Sequence, residues 1–151
     1  MGLLNRLFGQ KPPPEAPAER IPQSIATMQQ YLRSIMSHYG EENFQGDSQA
    51  KQILAVYSFG GISALAMQHQ MSPQQAHAVC LGLFPKLFGF DAADATAKAE
   101  AVITAAPDHT SHLYGIIHRG ADGFVHWQQQ SGDGAAKDFA EIMAHFQKAK
   151  T

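Results

Sequence analysis

Cysteine is nearly absent from this sequence. Cys80 is the whole complement among 151 residues. No disulfide can form within the chain, and no zinc site can be built on thiolates. A lone thiol fits a reducing compartment. Charge is also sparse: Asp, Glu, Lys and Arg make up 16% of the chain, and the net charge is −2. With no basic field to hold a phosphate backbone, a nucleic-acid partner is not expected. The acidity is too slight for a mimic of nucleic acid. No apolar run reaches the ~18–20 residues of a membrane span. Arg6 interrupts the apolar start "MGLLNRLFG", and proline follows, so no secretory signal is expected. The opening Met-Gly lacks the Ser or Thr at position 6 that myristoylation wants. Phosphate loops, dinucleotide fingerprints and zinc-protease helices are missing too. Together these absences predict a soluble, cytoplasmic protein.

Proline is present but confined. Five of the eight prolines fall at positions 12, 13, 14, 17 and 22, so "KPPPEAPAERIP" reads as an extended linker. Ahead of it, Leu3, Leu4, Leu7 and Phe8 share one face of a short helix. That face could dock on the protein's own core, on a partner, or weakly on a membrane surface. The organisation expected is an arm and linker over residues 1–22 and a helical domain over 23–151.

From Ser24 onward the apolar residues recur at helical period. Ser24 is the expected N-cap of a first helix, with Ile25, Met28, Leu32, Ile35, Met36 and Tyr39 inward and Gly40 ending it. Asp47 or Ser48 caps a second helix whose stripe passes through "FGG" at 59–61 without losing phase. "SPQQ" from Ser72 is a capping box with proline in the first turn. Pro85 should kink or shorten that third helix, and Gly89 stops it. Asp91, Asp108 and Asp133 open three more. The fold class predicted is all-α: a bundle of about six helices.

Four of the eight histidines crowd into "HTSHLYGIIHRGADGFVHW", residues 109–127. On a helix, Leu113, Ile116, Ile117, Gly120, Phe124 and Trp127 share one face. The segment can also be drawn as a hairpin around Arg119–Gly123, although its alternation breaks at Ile116-Ile117. Helical spacing puts His112, Arg119 and His126 on one flank, seven residues apart. Each step rises about 10.5 Å, too far for one metal with bonds of about 2 Å. His109 and His112 could be co-ligands only with a third group such as His69, His77 or a carboxylate. No metal and no cofactor are expected. "GISA" from Gly61 departs from a nucleophile elbow, having Leu65 where glycine belongs. Cys80 lies on an apolar stripe, where a thiol is inert. Gly61 and Gly120 lie on apolar stripes and mark either close helix crossings or a shallow groove. Gly115 and Gly123 fall off the stripe and suggest modest local stability.

Taken together, "YSFGGISALAM" (57–67) and "HLYGIIHRGADGFVHW" (112–127) resemble the small all-helical immunity proteins of bacterial polymorphic toxin systems. The resemblance covers about residues 44–148. It implies a non-enzymatic protein whose partner is a cognate toxin, neutralised by direct contact and occlusion. It carries no contact map. The candidate contacts come from the residues themselves: His112, Arg119, Asp122 and His126, with Tyr114 and Trp127 as aromatic anchors. Two other readings compete. One is a small metal-binding hydrolase built on His109, His112 and either His69 or His77. The other is a helical scaffold or adaptor that docks through its N-terminal apolar segment.

Overall fold

Polar side chains cap the starts of three helices. Asp47 accepts a hydrogen bond from the Ala50 amide at 3.0 Å, and Asp91 accepts one from the Asp94 amide at 2.8 Å. Ser72 and Gln75 cap each other reciprocally: the Gln75 amide donates to Ser72 Oγ, and the Ser72 amide donates to Gln75 Oε1. Each cap satisfies a donor that the helix leaves unpaired, worth about 1 kcal/mol. Gly40 and Gly89 take positive φ angles of 104° and 69° and close the preceding helices.

The computed structural model describes residues 15–130 and 132–149. They form seven helices: α1 (Arg20–Tyr39), α2 (Glu41–Gln45), α3 (Ser48–Gln68), α4 (Pro73–Phe88), α5 (Ala92–Ala105), α6 (Tyr114–Gln130) and α7 (Gly134–Ala149). No strand occurs among the described residues. The fold is all-α, as expected, with the short α2 added. Glu41 and Glu42 open that helix.

Helix α3 is the centre of the molecule. Every residue from Ile53 to Ile62 is buried, so the one-sided stripe predicted for it is instead a helix covered all round. By length and composition it could also cross a membrane, contrary to the sequence expectation. In this fold 72% of that stretch is buried within the same chain. Its most intimate neighbour is α6. A Cβ placed on Gly60 would stand 1.9 Å from the Ile117 carbonyl oxygen, and one on Gly120 would stand 1.9 Å from the Tyr57 carbonyl oxygen. The two backbones therefore touch at the Gly60/Gly120 crossing. The sequence identified Gly120 but chose Gly61. Gly61 instead makes room for Met28 and Phe124 side chains.

Two helix starts differ from expectation. Helix α1 begins at Arg20, so it takes in the last residues of the predicted linker. Pro22 sits in its first turn, where a missing N–H breaks no helical bond. Ser24 is no cap; it is buried, with Oγ 3.5 Å from Met71 Sδ. Just before α1, the Gln75 side chain brackets Ala16, donating to its carbonyl at 2.7 Å and accepting from its amide at 3.3 Å. The Leu3, Leu4, Leu7 and Phe8 face and prolines 12–14 lie outside the described residues. Asp108 does not start α6 either. Its Oδ1 accepts from the Thr110 amide at 3.0 Å and from the Thr110 hydroxyl at 2.7 Å. That closes a local turn, and the chain stays in turns until Tyr114. From Tyr114 to Gln130 the segment is a single helix rather than a hairpin.

Candidate functional site

One face of α6 is spent on the core. Ile116, Ile117, Gly120 and Phe124 are buried there. Tyr31 of α1 packs edge-on to Phe124 with ring centroids 5.1 Å apart, and Trp127 lies 5.2 Å from Tyr31. The opposite flank of α6 runs along α7. Both helices turn polar side chains outward there, because the apolar stripe of α7, Phe139, Ile142 and Met143, faces the core.

The flank centres on Arg119. Its guanidinium donates twice to Asp138 Oδ1, with the Nε contact at 2.9 Å. Glu141 Oε1 stands 3.5 Å from the same terminal nitrogen. Asp138 uses its other oxygen to accept from the Tyr57 hydroxyl at 3.0 Å. A chain of polar contacts therefore runs from α3 through α7 to α6. The pairing with Asp138 raises the Arg119 pKa, so the group stays cationic. Burial, reinforced by the neighbouring Tyr31 and the Asp138 charge, pushes the Tyr57 hydroxyl well above its ordinary range. Tyr31 is fully buried, and burial raises its pKa as well. Both hydroxyls stand beside Gly123, where a Cβ would be 2.3 Å from that of Tyr57 and 3.2 Å from that of Tyr31. Gly123 thus has a packing role that the sequence reading missed.

Three shallow depressions share Arg119. The first, about 390 Å³ and mostly apolar, is lined by His112, Gly115, Ile116, Ile142, His145 and Phe146 as well. The second, about 420 Å³, adds Asp122, Gly123, His126, Gly134 and Asp138. The third adds Glu141, His145 and Lys148. Four of the six predicted contacts therefore line one face: His112, Arg119, Asp122 and His126. The two aromatic candidates lie elsewhere. Trp127 is half-buried against Tyr31 and Phe124. Tyr114 sits between His109 and His118, with ring centroids 4.5 and 4.0 Å away, and His118 Nε2 meets the Ala106 carbonyl oxygen at 3.2 Å.

Tyr57 and Asp138 were not singled out from the sequence. Tyr57 offered one signal: a tyrosine on a buried stripe carries a hydroxyl that needs a partner. Other chemistry is thin. Among the described residues, no three His, Cys, Asp or Glu side chains gather in a metal-holding group. Cys80 is buried, and burial pushes its thiol up to about 12, which keeps it protonated.

Comparison with known families is decisive on one point. The sequence profile of the family described as immunity protein 48 matches residues 20–147. The chain belongs to this family. The match begins at the first residue of α1 and ends in the last turn of α7, so the family's shared unit takes in every helix described above, the Arg119 face included. No curated protein and no solved structure matches the chain. Membership in an immunity protein family implies a protein partner, a toxin, as a class.

Proposed function

We propose that the protein is a non-enzymatic, cytoplasmic immunity protein that neutralises a cognate toxin of a bacterial polymorphic toxin system. It binds through the α6–α7 face and occludes the toxin's active site or substrate path. One observation carries the choice of face: three depressions converge on Arg119, which is already held in place by Asp138. A rigid arginine framed by concave surface suits an interface, because little side-chain freedom remains to be lost on binding.

The test is co-expression with the product of the adjacent gene, as the candidate toxin. The wild-type protein is expected to restore growth and to co-purify with that toxin. The double variant Asp122→Lys/His126→Glu changes only exposed side chains of α6 and is expected to lose both. Equal protection by the double variant would remove the α6–α7 face from the interface. No complex with the wild-type protein would overturn the reading as a whole.

A further inference from the structure

The apolar depression between α6 and α7 has a chemistry of its own. Its floor is Gly115, Ile116, Ile142 and Phe146, and its rim is His112, Arg119 and His145. One guanidinium and two imidazoles line it, and no carboxylate does. The volume, about 390 Å³, suits a large apolar side chain. Arg119 uses Nε and one terminal nitrogen on Asp138, and the same terminal nitrogen is the one near Glu141. Its other terminal nitrogen makes no hydrogen bond among the described residues. Glu141 reaches in from the adjoining depression and is 76% exposed, so its hold on Arg119 is weak.

From this we infer that the groove receives a large apolar side chain of the toxin together with a neighbouring toxin carboxylate. The carboxylate pairs with the unused edge of Arg119 and displaces Glu141. The inference rests on the proposed toxin-binding role and adds the chemistry of the partner's contact. The open N–H donors of Arg119 select an acceptor at this point: Asp138 already offsets its charge, but a guanidinium edge still fits a second carboxylate bidentately. Asp138 is a positioning residue, because it fixes Arg119 without lining the apolar groove.

Two variants fill or change this groove without threatening the fold. Gly115 has nothing within 4 Å of its Cβ position, so Gly115→Leu can be accommodated while its side chain occupies the groove. Glu141→Gln removes the competing carboxylate at an exposed site. Binding of the purified product of the adjacent gene, the candidate toxin, is measured by calorimetry, with thermal unfolding run in parallel. Gly115→Leu is expected to weaken binding by about tenfold or more, and Arg119→Gln by a similar factor. Glu141→Gln is expected to tighten binding by about two- to fivefold. Unchanged affinity in a folded Gly115→Leu variant would empty the groove of its occupant. Weaker binding by Glu141→Gln would reverse the sign of the partner's charge, and either result overturns the inference. If Asp122→Lys/His126→Glu abolishes binding while Gly115→Leu leaves it intact, the face stands and the groove falls. If the wild-type protein does not bind, both fall together.

Discussion

Arg119 and Gly120 are adjacent in sequence and sit on two sides of α6 that obey different rules. On the Gly120 side, backbone meets backbone, and an added Cβ would stand 1.9 Å from a carbonyl oxygen of α3. On the Arg119 side, α6 and α7 leave concave volumes of about 390–420 Å³, rimmed by polar side chains with partial solvent access. The first side admits no new atom. The second has unfilled space and groups already ordered. One helix thereby holds the fold together with one face and presents a surface with the other. Sequence neighbours are no guide to which job a residue does, because successive residues point about 100° apart.

The sharpest way to break this contrast is to add a methyl group on the closed side. Gly120→Ala and Gly60→Ala each force a Cβ into rigid backbone, which no rotamer change can relieve. Each is expected to cost at least about 3 kcal/mol, against a helix-propensity gain of only about 1 kcal/mol. Chemical denaturation would measure this, with loss of soluble protein as the extreme outcome. A variant as stable as wild type would mean that α3 and α6 do not touch at these glycines.

Tyr57 joins the two sides, and its replacement probes the link. Tyr57→Phe leaves the ring packed and takes away the donor to Asp138, so a loss of about 1–2 kcal/mol is expected. The same residue predicts an alkaline response. Tyr31 and Tyr57 have folded-state pKa values raised above the ordinary 10.0, mainly by burial. A raised pKa gives stability that is full below 10.0 and lost as pH climbs above it, because the unfolded chain gives up these protons first. Melting temperature should therefore fall above about pH 10, and less steeply in Tyr57→Phe. An unchanged slope in that variant would place the Tyr57 hydroxyl in water.

Gly115 is the counterpart of Gly120 on the open side. Nothing lies within 4 Å of its Cβ position, so Gly115→Ala should gain about 0.5–1 kcal/mol from helix propensity alone. Two glycines five residues apart on one helix would then respond with opposite signs. If both destabilised, the space around Gly115 would be smaller than the geometry indicates.

What the sequence made legible was local. The Ser72–Gln75 capping box and the Asp47 and Asp91 caps span only four residues each, and all were readable. The all-α class followed from periodicity over the whole chain. Asp108 misled because the same carboxylate can cap a helix or close a turn on Thr110, and only the tertiary fold chooses. Gly60 was missed for Gly61 because a small error in helical phase decides between neighbours. The Tyr57–Asp138 contact spans 81 residues, and no local pattern announces it. Of the six candidate contacts, the four polar ones were readable as a flank of α6. Tyr114 and Trp127 were not separable from them, since an aromatic ring serves a core and a surface equally well.

The smallest expected effect on stability is also the one most informative about function. His126 is exposed on the open side, and Asp122 beside it makes no ion pair among the described residues. Asp122→Ala and His126→Ala should each shift stability by no more than about 0.5 kcal/mol, since neither empties a packed site or strands a buried partner. If the open side is the binding surface, each should still reduce protection against the product of the adjacent gene. Stability and protection would then separate on α6: the closed side governs the first and the open side the second. Loss of protection that merely followed loss of stability would dissolve the distinction between the two faces, and α6 would be a core helix only.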